Sequence, residues 1–510
     1  MTTHPLLARH NLTAILLGFV CCIGLRAADP VEDAIARLRE GKLQEGVELL
    51  RKALAENPSS QRAAYVLSLT LLDQEQVAEA SAIVKKSLSL NPKSADLLQA
   101  RGDIEFRTGD FPAAEMSYKG GLQVDSKHAR AIYGLARVYQ CASLNKLAAT
   151  LYRRAAELDP GDADIAGAYA RFSATDAEQQ AALEKYLAAT RGAVRRRAQS
   201  LIAHAALRKF LNGRQTKTLD TPYQSSLIHM QVLLSGHVAK GLALHVGVNE
   251  AKPVTLELDT GASGITITRR VAERAQVQKI ADMDLSGLGD GRDPTGYVGF
   301  AEHIRVGGVE FSNCVVHVSD RAFNADSDGL IGTDLFDRFL ITLDFRKREI
   351  RLDPLPGPAW DGREPVDRYT GEELKGFSRV FRFGHELLLA TMVGESQPGF
   401  FILDTGSSQS LISTNVARSV TKVRGEDRFR MKGISGEIKD LKSADQVTLT
   451  FAGFRQKTLE LLSLDFSGLS RDAGTKIAGI LGLPVLVLFD LTLDYRDGLV
   501  KFVYNPPPGL

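Results

Sequence analysis

Cysteine is scarce, with four in 510 residues. Cys21 and Cys22 sit in an apolar N-terminal run, and Cys141 and Cys314 lie far apart. A disulfide framework and C-x-x-C zinc or redox spacing are therefore excluded. Neither sign of charge dominates. Lys and Arg number 63 against 61 Asp and Glu, a net charge of +2 that argues against a generally basic nucleic-acid binder. Long apolar runs are also missing. The longest, Leu12 to Leu25, has 14 residues, short of the roughly 20 needed to span a bilayer. G-x-S-x-G, H-E-x-x-H, P-loop and G-x-G-x-x-G motifs are absent, and His385-Glu386 has no second histidine at helical spacing. No metal or cofactor is expected. What remains is an ordinary globular composition, 44% hydrophobic and 24% charged, long enough for two or three domains.

Residues 1–28 have the form of an export signal. Arg9 precedes the apolar run, no acidic residue occurs before Asp29, and the small residues Ala27 and Ala28 follow. The run suits a cleaved signal better than a permanent anchor. The expectation is an exported protein, periplasmic or secreted, without a stable membrane span.

The next segment is periodic. Asn57-Pro58, Asn91-Pro92, Asp125-Ser126 and Asp159-Pro160 recur at an interval of 34 residues, with small and aromatic positions repeating between them. One block has Gly102, Gly109, Phe111, Ala114 and Tyr118; the next has Leu135, Ala136, Tyr139, Ala148 and Tyr152. These resemble the tetratricopeptide repeat, in which helix pairs pack small residues against a neighbour's large ones. The resemblance implies an all-α solenoid of about five repeats over residues 29–196, whose concave face would take a protein partner or extended peptide. One helix pair cannot bury its own apolar face, so stacking must stabilise the array.

From Lys185 to Lys217 the chain has nine Lys or Arg and no acidic residue. A charge run is usually a solvated face. We therefore read residues 197–225 as a capping helix, roughly Arg197 to Leu211, and a basic linker, in preference to a docking strip for anionic lipid or phosphate. After Ser226 the texture changes to alternation, as in Val254-Leu256-Leu258 and Val447-Leu449-Phe451, the period of half-buried strands. Residues 354–376 are proline-rich and read as a linker between two all-β halves, 226–353 and 377–510.

Those halves are duplicates. Each carries an apolar strand running into Asp-Thr-Gly, at Asp259-Thr260-Gly261 and Asp404-Thr405-Gly406. Glycine-rich turns begin 28 and 29 residues later at Gly287 and Gly433, and a hairpin glycine falls 49 residues on in both, at Gly308 and Gly453. Two large aliphatics and a glycine follow, as Leu330-Ile331-Gly332 and Ile480-Leu481-Gly482, with a matching strand end at Asp344 and Asp494. The set resembles the aspartic proteases of the pepsin and retropepsin group, each half being similar to one retropepsin-like subunit. One Asp-Thr-Gly would be weak; two with matched partners are specific.

The resemblance implies a two-lobed all-β fold whose active site forms where the two Asp-Thr-Gly loops meet. Asp259 and Asp404 would be the catalytic pair, since two carboxylates about 3 Å apart cannot both ionise and must share a proton. Thr260 and Thr405 would interlock beneath them, Gly261 and Gly406 would allow the tight turns, and Gly332 and Gly482 would permit close strand crossing. Ser407 is expected to hydrogen-bond the outer oxygen of Asp404, which Ala262 cannot do for Asp259. Flap candidates are Gly287, Gly289 and Tyr297 in the first half and Gly433 and Gly436 in the second, set against the plainer reading of surface hairpins. Asp344 and Asp494 read as turn or surface carboxylates. The whole is expected to be an endopeptidase on peptide or protein substrates, complete as a monomer because one chain holds both halves. The rival reading is a non-catalytic scaffold that binds peptides without cutting them.

Overall fold

The computed structural model describes residues 29–172, 175–190, 195–235, 238–285, 294–321, 323, 327–357, 368–369, 371–395, 397–426, 428–433, 436–438 and 440–508. The chain divides into two compact units, residues 1–140 with 145–205, and residues 141–144 with 206–510.

The first unit is helical. Pairs follow in order: Pro30–Arg39 with Leu43–Glu56, Gln61–Asp73 with Val77–Leu90, Ala95–Thr108 with Phe111–Val124, Ala129–Cys141 with Asn145–Leu158, and Ala163–Phe172 with Asp176–Thr190. Local signals set their ends. Ser60 and Ser94 cap helix starts by accepting from Ala63 N and Leu97 N at 3.3 and 3.4 Å. Gly109 ends Ala95–Thr108 with φ of 87°, a left-handed cap that glycine adopts without strain. The repeat period becomes packing at Tyr118, which is fully buried. A Cβ on Gly102 or Gly134 would lie 2.6 or 2.3 Å from its ring, so glycines on Ala95–Thr108 and Ala129–Cys141 leave room for the aromatic of the intervening helix Phe111–Val124.

The expected capping helix is Arg195–Leu211. Leu201 packs with Ala166 and Tyr186 in the solenoid core. The second unit begins inside this helix, at Ala206. Phe210 meets Phe300 edge-on at 5.0 Å, and the Arg214 guanidinium lies 5.2 Å from the same ring. The basic stretch that follows is not a free linker. Thr218–Leu219 pairs with Val309–Ser319, and Lys217 Nζ donates to Asp334 O at 2.8 Å and pairs with Asp337 at 2.7 Å.

The second unit repeats one strand order in two lobes. In the first, Val254–Leu258 runs antiparallel to Val238–Val248 and parallel to Gly329–Ile331; the latter is antiparallel to Ile265–Thr268, which is parallel to Val309–Ser319. In the second, Gln397–Asp404 runs antiparallel to Glu386–Val393 and parallel to Ile477–Gly482, which is antiparallel to Leu411–Ser413, itself parallel to Phe454–Leu464. The sequence duplication is thus a duplication of topology. Phe339–Asp344 and Phe489–Asp494 pair across the lobes, Ile341 opposite Leu493 and Leu343 opposite Leu491, and one apolar core runs through both. The hairpin of the first lobe turns at Gly307 (φ 58°) beside Gly308, and that of the second at Gly453 (φ 83°).

Candidate active site

Two strands deliver the aspartates. Val254–Leu258 ends at Asp259, whose N–H donates to Ile331 O at 3.0 Å. Gln397–Asp404 ends on Asp404, which lies in register with Gly482 of the parallel neighbour. The glycine after each aliphatic pair has no alternative. A Cβ on Gly332 would stand 2.3 Å from Ala262 O, and one on Gly482 2.3 Å from Gln409 O. The strand crosses directly behind the Asp-Thr-Gly turn in both lobes.

The threonines lock the two turns together. Thr260 N donates to Thr405 Oγ1 at 3.0 Å and Thr405 N to Thr260 Oγ1 at 2.9 Å. Each hydroxyl then donates to the other lobe's strand, Thr260 Oγ1 to Leu403 O at 2.7 Å and Thr405 Oγ1 to Leu258 O at 2.9 Å. Both side chains are buried, so these four bonds satisfy polar groups that water cannot reach.

The lock brings the carboxylates face to face. Asp259 accepts from Gly261 N at 2.8 Å, and Asp404 from Ser407 N at 3.0 Å. Burial pushes both carboxyls upward. Asp404 rises well above the usual range because the Asp259 charge and a hydrogen bond to Asp259 add to its burial. For Asp259 burial is opposed by the Gly261 N–H, the bond to Asp404 and the charge of His385. The two carboxyls therefore titrate as one pair that shares a proton.

Ser407 plays a different part from the one expected. Its backbone N–H, not its hydroxyl, serves Asp404; the hydroxyl turns away and donates to Gln409 O at 2.8 Å. Asp404 Oδ1 is already occupied by that N–H, and the turn aims the side chain at its own carbonyl two residues on. Asp334 supports the first turn instead, accepting from Gly264 N at 2.7 Å and Ser263 Oγ at 3.3 Å.

Of the flap candidates, Gly287 and Gly289 lie outside the described residues. Of the residues flanking them, Leu285 N donates to Pro294 O at 2.9 Å. Tyr297 does not face a cleft: it is 5% exposed within the core of the lobes, on Gly296–Val306. Gly433 and Gly436 pair opposite each other in a small hairpin, Met431–Gly433 with Gly436–Ile438, and Gly436 has φ of 111°. Asp494 is also not a surface group. It is 1% exposed beside Asp497, and burial followed by the Asp497 charge raises its carboxyl to about 7. Asp344 accepts from Lys347 N at 2.8 Å in a turn.

One neighbour of the pair was not anticipated. His385 Nε2 lies 2.8 Å from Gly261 O, so a lobe-2 side chain touches the lobe-1 motif. A signal was present in the sequence, because Gly-His occurs once before each Asp-Thr-Gly, as Gly236-His237 and Gly384-His385. His237 lies outside the described residues.

Two lobes of one topology, joined through interlocked threonines beneath paired aspartates, define an aspartic protease-like domain. Residues 244–335 and 390–485 match the model of the aspartyl protease family, and residues 37–104 and 100–163 match models of the tetratricopeptide repeat. The chain thus joins tetratricopeptide repeats to a two-lobed, retropepsin-like aspartyl protease domain. A curated protein, cellulose synthase operon protein C of Xanthomonas axonopodis pv. citri (strain 306), is 30% identical over 161 residues. That match covers 29% of this chain and 10% of the relative's length. Among solved structures, MamA is similar at 17% identity over 34% of this chain and 95% of its own, with a TM-score of 0.23. PilF of Pseudomonas aeruginosa is similar at 16% over 36% and 91%, with a TM-score of 0.28. TTC0263, a tetratricopeptide repeat protein of Thermus thermophilus, is similar at 20% over 36% and 98%, with a TM-score of 0.29. Among the described residues no helix is long and apolar enough to cross a membrane.

Proposed function

We propose that this protein is an exported aspartic endopeptidase. The observation that carries the reading is the reciprocal Thr260–Thr405 lock, which holds Asp259 and Asp404 together and both raised. In this reading Asp259 takes a proton from a water molecule, the resulting hydroxide adds to the peptide carbonyl, and Asp404 gives its proton to the carbonyl oxygen. Collapse of the tetrahedral gem-diol breaks the C–N bond as the nitrogen receives the proton held by Asp259 and Asp404 takes back a proton from a gem-diol hydroxyl, which leaves a carboxylic acid, a free amine and the dyad in its starting state. Both lobes come from one chain, so a monomer suffices. The repeats serve as a docking face for substrate or a protein partner, and residues 1–28 direct export.

The test is incubation of the purified chain with denatured casein and a peptide library across about pH 3 to 8, with and without a statine-type inhibitor. Inhibitor-sensitive cleavage that is lost in both Asp259→Asn and Asp404→Asn is the expected result. Cleavage that persists in either variant, or its absence at every pH, removes the assignment.

A further inference from the structure

The hairpin that carries His385 is built with unusual care for a two-residue turn. Ser378–Phe383 and Glu386–Val393 pair with Phe383 opposite Glu386, leaving Gly384 and His385 as the loop. Gly384 has φ of 66°, the pattern of a turn that needs glycine at its first central position. Arg382 fastens the tip from below. Its Nη1 donates to Tyr495 O at 2.7 Å and its Nη2 to Gly384 O at 3.3 Å, with the guanidinium 5.2 Å from the Tyr495 ring. Tyr495 in turn shares a 2.7 Å hydrogen bond with Thr333, the residue after Gly332 of the first lobe. The imidazole is therefore held in place by a path running from one lobe to the other and ending 2.8 Å from Gly261 O.

A carbonyl oxygen can only accept, so Nε2 carries the hydrogen, whether the ring is neutral or charged. Gly261 is the residue whose N–H binds Asp259. We propose that His385 is a positioning residue of the dyad, holding the Asp259 turn through the Gly261 carbonyl and, when protonated, favouring the ionised form of Asp259. The inference deepens the endopeptidase reading and rests on its dyad.

Glu386 and Arg382 share the His385 hairpin, Asp259 and His317 face the imidazole from the first lobe, and Asp472 of the helix Ser467–Ala473 acts on Glu386. Asp334 acts on His317 from behind the first turn. A proton on His385 lowers the tendency of Asp259 to protonate and has the same effect on Glu386. A positive charge at this position thus favours the ionised form of Asp259.

The experiment uses the full chain with aspartate carboxyls labelled with 13C, the Asp259 resonance being identified by its loss in Asp259→Asn. In His385→Gln, which keeps a donor and loses the charge, the Asp259 ionisation should move up by roughly one pH unit, the scale of one nearby charge. His385→Lys, which restores a charged donor, should move it back. In His385→Ala, statine-peptide binding measured by calorimetry should weaken about tenfold at all pH values, because the turn loses its tether. An unmoved Asp259 titration in folded His385→Gln overturns the proposal, as does a shift of equal size that His385→Lys fails to reverse. Activity separates this from the parent reading. A wild-type chain that neither cleaves peptides nor binds the statine peptide, yet shows the titration shift, leaves His385 as assigned and removes the endopeptidase.

Discussion

Gly406 and Asp259 come from different lobes, yet a methyl group on Gly406 would stand 2.5 Å from the carboxylate carbon of Asp259. The reciprocal approach is slightly looser, since a methyl on Gly261 would stand 3.0 Å from the carboxylate carbon of Asp404. Each motif therefore uses its glycine twice, to turn its own chain and to make room for the opposite carboxylate. The two Asp-Thr-Gly sequences fit only as a pair.

This unequal spacing makes a graded prediction. Gly406→Ala should push Asp259 out of line and lower kcat/KM on a short peptide by at least about 100-fold, the scale of a 1 Å misplacement. Gly261→Ala should be milder, because its clash is half an ångström less severe. Equal loss in both, or none in Gly406→Ala, would show that the carboxylates are not held by these glycines.

The raised dyad also has a stability consequence. A carboxyl whose folded pKa lies above its unfolded value contributes most in acid, and that contribution is lost as pH rises through the folded value. Asp404→Asn keeps the shape, can still donate to Asp259, and removes the charge. It should abolish turnover yet raise Tm at neutral pH, with the gain shrinking towards zero below about pH 4. Calorimetric scans of both proteins over pH 3 to 8 would check this. A variant less stable than the parent at pH 7 contradicts the raised carboxyl.

Much of this was legible in the sequence because it depends on backbone geometry. The resemblance to the aspartic proteases implies a close strand crossing at Gly332 and Gly482 and an interlock of the threonines, and those residues make these contacts. The 34-residue period likewise becomes the Gly102–Tyr118–Gly134 packing. Side-chain direction was less legible. Ser407 donates to Gln409 O because its own N–H already occupies Asp404. Asp494 looked like a solvent-facing strand end, but that strand pairs across the lobes and the Arg496–Asp497 pair closes over it. His385 lies 124 residues from Gly261 and meets it only because the lobes face each other. The repeated Gly-His marks the residue but not the contact it makes.

Asp494 carries the second pH prediction. Its carboxyl is raised to about 7 by burial and by Asp497, against an unfolded value of about 3.9. Wild-type stability should therefore fall as pH rises from about 4 to 7 and then level off. Asp494→Asn retains the acceptor for Asp497 N, bonded at 3.0 Å, and should flatten this slope. Urea unfolding at pH 4, 5.5 and 7.5 measures it. A parallel slope in the variant would place the titration elsewhere.

The last prediction concerns the solenoid, where Tyr118 has nowhere to go. Its ring is fully buried, its hydroxyl bonds Asp103 Oδ1 at 2.7 Å, and Gly102 and Gly134 flank it. In Gly134→Ala the new carbon would meet Cε1 and Cζ at 2.3 Å. Overpacking of this kind costs about 1–3 kcal/mol, sometimes more. The first unfolding transition should drop accordingly, while turnover of a short peptide below that transition stays unchanged, since Asp259 and Asp404 both belong to the second unit. Tyr118→Leu removes the ring and leaves a cavity, which is destabilising alone. In the double variant the added methyl occupies part of that cavity, so the two losses should sum to less than their separate values. Strict additivity would mean that Tyr118 and Gly134 do not share one site. A fall in short-peptide turnover at the same rate as solenoid stability would show instead that the repeats shape the catalytic lobes.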